Sequence, residues 1–167
     1  MKKFKKYLTA PILCLLLITI IQSFKSPDLN IEKPDVFAFG ETKEDILKRM
    51  KGKCTSITEQ NITPIQLPTA KSSQVQLDCE GFLFAGKKRK VELVFADNIL
   101  DMVWVLTDAN EEEYFIESYG KIYGKPTHKI EGATFFLNNG VGIRNEPHEV
   151  LFISDRLKEP YNQWLSQ

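Results

Sequence analysis

The stretch VELVFADNILDMVWVL, residues 91–106, is the clearest indication of the architecture in this chain. Two runs rich in apolar and β-branched residues, 91–95 and 99–106, flank Asp97-Asn98. Runs of this composition are typical of β-strands, and an Asp-Asn pair suits a short turn because both side chains tolerate a left-handed backbone. The stretch therefore predicts two antiparallel strands joined by a two-residue turn.

A third strand precedes this pair. Apolar and polar residues alternate over 74–80, which is the period of a half-buried strand, and Phe82-Leu83-Phe84 extends it after Gly81. We predict that residues 85–90 form the connecting loop, which carries the basic run Lys87, Lys88, Arg89 and Lys90. The three strands together make an antiparallel meander.

Two amphipathic helices flank the meander. The first is predicted over 43–51, because Thr42 and Asp45 resemble a capping box and Gly52 is a typical helix stop. The second opens at Asp108 with three glutamates in its first turn, where negative charge is favourable, and ends at Gly124. The long polar stretch 55–73 between the first helix and the meander is predicted to be a loop.

A second set of strands follows the second helix. Residues 133–137, 141–144 and 149–154 are predicted strands, and Asn139-Gly140 is a strong hairpin signal. The tail from Pro160 onward is predicted to form a short helix with proline at its first position.

The fold class that follows is α+β, with two helix-plus-three-strand antiparallel meander units and the helices packed on one sheet face. We expect a single domain over 36–167, with 36–107 and 108–167 as candidate tandem halves. The stretches 81–97 and 140–155 are similar with one gap, which favours a duplication over two independent solutions to one packing problem.

The N-terminus predicts export. Four lysines precede an uncharged apolar run over 7–21, which is the pattern of a secretory signal. Residues 1–23 are interpreted as a cleaved signal peptide, with an uncleaved membrane anchor or a buried core helix as alternatives, and 24–35 as a linker. The protein is therefore expected outside the cytoplasm, periplasmic or secreted, with membrane contact through 7–21 if the anchor is retained.

Net charge and cysteine content limit the kinds of partner and site that the chain is expected to have. The chain has 22 basic and 22 acidic residues, and removing the four N-terminal lysines leaves 18 against 22, a net charge of −4. This balance argues against nucleic acid as a partner, because nucleic-acid binders carry a basic face. An exported chain predicts a disulfide between Cys54 and Cys79, with two free thiols as the alternative and a metal pair disfavoured by the distant histidines.

No catalytic constellation is apparent, and no cofactor or metal is expected. His128 and His148 lie in polar turns, and the aspartates at strand ends are typical turn and cap residues. The candidate binding residues are the basic run Lys87, Lys88, Arg89 and Lys90, which suits anionic headgroups or an acidic protein, and Phe135-Phe136. One of these two rings is expected on the sheet face that the helices leave open.

Three stretches carry a resemblance to known families: Gly40-Glu41-Thr42 with Asp45-Ile46, Gly-Lys-Pro at 124–126, and 91–106. The chain resembles the BamE/SmpA-type envelope lipoproteins, and its tandem form is similar to beta-lactamase-inhibitor-protein-like domains. The resemblance implies a non-catalytic binding scaffold in the cell envelope. The chain lacks a lipobox cysteine, and no family site residue transfers to it.

The expected function is an exported envelope binding or assembly module that is not an enzyme and whose partner is an envelope or secreted protein. The alternative is an inhibitor or immunity-type protein that blocks a secreted enzyme, for which an acidic binding face would be the discriminating feature. A third hypothesis, an envelope enzyme, would need a concave pocket joining one of the histidines to an acid.

Overall fold

One antiparallel sheet organises the molecule. The computed structural model describes residues 29–167, in which eight strands and three α-helices form a mixed α+β fold, as the sequence predicted for the fold class. The elements in chain order are α1 (Lys43–Met50), β1 (Ser56–Asn61), β2 (Gln74–Phe84), β3 (Lys87–Ala96), β4 (Ile99–Leu106), α2 (Glu112–Tyr123), β5 (His128–Ile130), β6 (Ala133–Phe136), β7 (Val141–Asn145), β8 (His148–Ile153) and α3 (Asp155–Leu165). The predicted signal or anchor, 1–23, lies outside the described residues.

The strand order is β1-β2-β3-β4-β8-β7-β6-β5. Each run of four strands is a meander, and the two runs meet where β4 pairs with β8 from Met102↔Ile153 to Leu106↔Glu149. Each half therefore has four strands, and the prediction of three was wrong. The predicted loop 55–73 contains β1, which gave no alternating signal because five of its six residues are exposed at the sheet edge.

Two apolar clusters occupy the two faces of the sheet. On the first face, Ile46 of α1 and Phe115 of α2 pack with strand residues such as Leu93. On the second face, Leu157 of α3 packs with the next residue of the same strand, Val94. The helices therefore cover both faces, and the expectation that all pack on one face was wrong for α3.

The third helix is longer than predicted. It begins at Asp155, with Ser154 as its N-cap, and Pro160 lies inside it rather than at its first position. Leu157, Tyr161 and Leu165 recur every four residues and face the sheet. This stripe explains why the chain continues as a helix through the proline.

The N-terminal part of the described chain belongs to the core. Ile31 is 3% exposed, and the Tyr119 hydroxyl of α2 donates a hydrogen bond of 2.5 Å to its carbonyl oxygen. Phe37 is fully buried among the first-face residues. Residues 29–35 are therefore part of the domain, and the prediction of a linker over 24–35 was wrong for them.

The hairpin turns set the register of the central strands. Asp97 and Asn98 both have positive φ, as the predicted turn requires. The turn between β2 and β3 consists of Ala85 and Gly86, which also have positive φ. The basic run that was predicted to be a loop therefore lies in β3, because the turn needs only two residues.

The predicted disulfide between Cys54 and Cys79 is confirmed. It joins the segment after α1 to the middle of β2, with the Cα atoms 5.5 Å apart. Disulfides are typical of proteins in oxidising surroundings outside the cytoplasm. Among residues 29–167, no helix has both the length and the apolar content needed to cross a bilayer.

Candidate binding surface

The Arg89 side chain is buried and paired inside the protein. Its side chain is 3% exposed and makes two hydrogen bonds to Glu111, of 2.7 and 2.9 Å. Its guanidinium also lies 5.7 Å from the centre of the Phe115 ring. The hydrogen bonds from Arg89, and then from Lys87, lower the pKa of Glu111 to about 2 against the opposing effect of burial. Arg89 therefore fastens β3 to the start of α2 and presents no charge to a partner.

The other three basic residues divide between the two sheet faces, with Lys87 on the first face and Lys88 and Lys90 on the second. Lys87 pairs with Asp108 at 2.7 Å and with Glu111 at 2.8 Å. Lys90 lies on the second sheet face, and Lys88 is exposed without an ion pair to any residue within 29–167. Since successive strand residues face opposite sides of a sheet, the basic run does not form one continuous patch.

Both rings of the Phe135-Phe136 pair are buried. Phe136 is 1% exposed and packs on the first face, with its ring centre 6.1 Å from that of Tyr119. Phe135 faces the other way, as expected, but it is only 6% exposed because Tyr161 and Trp164 of α3 cover it. The exposed aromatic ring on this face therefore belongs to Trp164 of α3 and not to Phe135.

A row of charged side chains crosses the part of the second face that adjoins α3. Lys90 contacts Glu92 at 2.7 Å and Asp78 at 3.2 Å. We call this surface, which consists of Asp78, Lys90, Glu92, Trp104, Arg144 and Glu149, the open sheet face. It carries three carboxylates and two cations, and each of these groups has an ion-pair partner within the surface.

Arg144 of β7 stands at one end of this row. Its Nε donates a hydrogen bond of 2.7 Å to Glu149, and its guanidinium lies 4.1 Å from the centre of the Trp104 ring. A cation above an indole ring is attracted by the negative charge of the ring face. Both contacts fix the guanidinium in place while 37% of its side chain remains exposed.

Glu149 is the buried member of the row, with 2% exposure. Burial raises the pKa of its carboxyl group, Arg144 opposes this effect, and the nearby charge of Glu92 adds to it. The Arg144 side chain is thereby held between a buried acid and an aromatic ring.

An aromatic pocket lies beside the open sheet face. The pocket has a volume of about 120 Å³ and is enclosed by Trp104, Phe135, Tyr161 and Trp164, with Arg144 at its rim. Gly142 forms part of its floor, and a Cβ atom there would lie 2.8 Å from the Phe135 ring. Glycine is therefore required for the close approach of this ring to the sheet.

Trp164 is the accessible wall of the aromatic pocket, with 56% of its surface exposed. Its ring meets those of Phe135 and Tyr161 edge to face, at centre distances of 6.5 and 6.0 Å. Tryptophan, tyrosine and arginine are the residues most enriched among the energetically dominant positions of protein interfaces. The pocket thus combines a small apolar cavity with exposed aromatic edges and a fixed cation.

The histidines and strand-end aspartates do not converge. Asp97 accepts hydrogen bonds from the backbone of 71–73, and Asp101 accepts one from the Ser154 hydroxyl. The His128 ring lies within hydrogen-bond distance of the neighbouring Thr127 hydroxyl, while His148 lies 4.0 Å from Glu112. Within residues 29–167, no group of three His, Cys, Asp or Glu side chains is arranged to hold a metal ion.

Comparison of the chain with models of protein families, with curated proteins and with solved structures found no match. The resemblance to the BamE/SmpA-type and beta-lactamase-inhibitor-protein-like families therefore stays a prediction.

Few features of the sequence indicated the aromatic pocket. Trp104 stands in a predicted strand, but Tyr161 and Trp164 were assigned to a short tail helix whose position was unspecified. The signal that could have indicated it was the apolar stripe Leu157, Tyr161 and Leu165, whose spacing extends the predicted helix back across Pro160. A helix with such a stripe needs an apolar surface to pack on, which here is the second sheet face.

Proposed function

We propose that the protein is an exported, non-enzymatic binding module of the cell envelope, and that an envelope or secreted protein docks on its open sheet face. The aromatic pocket is the observation that carries this proposal. An exposed Trp164 beside a cavity of about 120 Å³ suits the insertion of one apolar side chain from a partner.

The charges of the open sheet face support specificity. Asp78, Glu92, Lys90 and Arg144 are paired within the surface, so their side chains are ordered before a partner arrives. Preorganised groups lose less conformational entropy on binding than mobile ones do. A partner with complementary charges would add further hydrogen bonds around the apolar contact.

Site-specific photocrosslinking in the native envelope tests the proposal. A photoreactive amino acid replacing Trp164 should capture a discrete protein partner, whereas the same amino acid replacing Ile122 of α2 should not. Ile122 is a suitable control because it is 46% exposed and lies on a helix of the opposite face. Equal capture at both positions, or at neither, would contradict the proposal.

The captured partner then provides a quantitative measurement. We predict that Trp164→Ala weakens binding by about 30-fold or more, the effect of losing a dominant interface tryptophan, while Ile122→Ala changes binding less than threefold. The thermal unfolding midpoints of both variants should stay within a few degrees of the wild-type value, because about half of each residue is already exposed to solvent. A secreted enzyme as the captured protein would select the inhibitor hypothesis over the assembly module.

A further inference from the structure

The β2–β3 hairpin turn lies next to the point where the described chain begins. The Leu29 side chain packs against Gly86 so closely that a Cβ atom on Gly86 would lie 2.9 Å from Leu29 Cδ2. Leu29 also joins the first-face core. The segment that precedes Leu29 therefore leaves the domain at this end of the sheet.

The apolar run of the N-terminus is close to Leu29 along the chain. Ile21 ends the uncharged stretch, and eight residue steps separate it from Leu29. Eight residues span at most about 29 Å when fully extended. If residues 7–21 lie in a bilayer, the hairpin turn is held within that distance of the membrane surface.

A basic and apolar patch occupies the same end of the molecule. Lys53, Leu83 and Lys88 line an open groove of about 420 Å³ between the α1–β1 connection and the end of β2. Leu83 is 67% exposed and pairs directly across the hairpin with Lys88. Neither lysine forms an ion pair with any other described residue, although Glu80 is exposed further along β2.

We infer that this hairpin-tip patch, Lys53, Leu83 and Lys88, rests on the anionic headgroups of the bilayer that holds residues 7–21. The inference rests on the proposed function together with the alternative that residues 1–23 are retained as an uncleaved membrane anchor. Unpaired lysines near an anionic surface favour binding, and an exposed leucine between them can enter the boundary between headgroups and acyl chains. The short tether keeps the patch at high local concentration near the headgroups.

This orientation also points the opposite end of the molecule away from the membrane. Strand β3 has ten residues, so its far end lies about 30 Å from the hairpin turn. Lys71 marks this far end, because its backbone amide bonds to Asp97 in the β3–β4 turn.

Fluorescence quenching on the full-length chain tests the inference. Leu83→Cys and Lys71→Cys, each in a Cys14→Ser background, would carry an uncharged fluorophore in vesicles of phosphatidylethanolamine and phosphatidylglycerol that contain a headgroup-labelled nitroxide lipid. We expect strong quenching at position 83 and little at position 71. The double substitution Lys53→Gln/Lys88→Gln should reduce the ratio of quenched to unquenched probe about fivefold per lysine. The control Lys125→Gln/Lys129→Gln should leave it unchanged, because these exposed lysines lie just before and within β5, at the opposite edge of the sheet.

Vesicle flotation, which measures whether the protein is bound to the membrane, distinguishes the possible outcomes of the quenching experiment. If the protein floats with the vesicles but position 83 is quenched no more than position 71, the inference is overturned and the membrane anchor stands. If quenching at position 83 is the same in phosphatidylcholine vesicles, anionic headgroup recognition is overturned. If the full-length protein does not float, the membrane-anchor alternative and the inference both fail, while crosslinking at Trp164 still tests partner binding independently.

Discussion

At the scale of single residues, Arg89 and Glu111 form the most buried ion pair within residues 29–167. A guanidinium with 3% exposure has no access to water as a substitute partner. Glu111 supplies both hydrogen bonds and also stabilises the start of α2, because one of its oxygens accepts from the Asp108 amide. Loss of this carboxylate therefore leaves a buried charge uncompensated.

We predict that Glu111→Gln lowers the free energy of unfolding by about 2–3 kcal/mol at pH 7, since removing one partner of a buried pair is costly. The pKa of Glu111 falls from 4.5 to about 2 in the folded protein, so the carboxylate stabilises the fold above pH 4.5 and loses this effect as the pH falls toward 2. The difference between variant and wild type should shrink over that range.

Urea denaturation at pH 7 and at pH 3 measures this convergence. Glu113→Gln is the matched control, because Glu113 is an exposed glutamate in the same helical turn that forms no ion pair with the residues described. A constant difference between wild type and Glu111→Gln at both pH values would show that the effect does not come from ionisation.

At the scale of secondary-structure elements, β1 depends on contacts that its own sequence does not supply. It is an edge strand with five of six residues exposed, and it pairs only with β2. The disulfide anchors the chain just before β1 and places Cys79 opposite Ile57 in the ladder. Because an exposed polar strand gains little from burial, the crosslink is a main source of its order.

We predict that Cys54→Ser/Cys79→Ala destabilises the protein by about 3–4 kcal/mol, from the chain entropy of a loop with a sequence separation of 25. Cys79 is fully buried, so alanine avoids placing a hydroxyl group in the core. Hydrogen exchange should show that β1 amides lose protection before those of β3. Reductant should destabilise the wild type by a similar amount and leave the double variant unaffected.

The elements differ in how far the sequence alone could specify them. The helix α1 and the strand β4 were predicted within one residue, because caps, turns and apolar periods are local signals. The length of α3 was missed because Pro160 is a typical first-turn residue, and its tolerance inside the helix depends on packing against the sheet. The aromatic pocket was missed for the same reason, since it exists only where α3 covers Phe135.

At the scale of the whole molecule, the strand order has an internal symmetry that the sequence likeness does not follow. The likeness relates 81–97, which contains the β2–β3 turn, to 140–155, which contains β7 and β8. In the two meanders, the second and third strands are β2 and β3 in the first half and β6 and β7 in the second. A duplication would therefore match β2–β3 with β6–β7, not with β7–β8. The likeness therefore reflects similar hairpins at different positions and gives no support to a duplication.

The inclusion of residues 29–35 in the folded domain is also a property of the whole molecule. We predict that Ile31→Ala lowers the free energy of unfolding by about 2–4 kcal/mol, the usual cost of a large-to-small change in a core. Ile65→Ala, at a position that is 40% exposed, should change it by less than about 1 kcal/mol. Chemical denaturation of both variants provides the measurement, and equal effects would place 29–35 outside the cooperative unit.

The pairing of β4 with β8 has a consequence for the covalent link between the halves. Five registered residue pairs join the two meanders at the centre of the sheet, and Lys87 and Arg89 of the first half hold the helix start of the second. The peptide bond between Thr107 and Asp108 is thus one connection among several. Separately produced fragments ending and beginning there should complement each other, forming a nicked protein whose stability depends on fragment concentration.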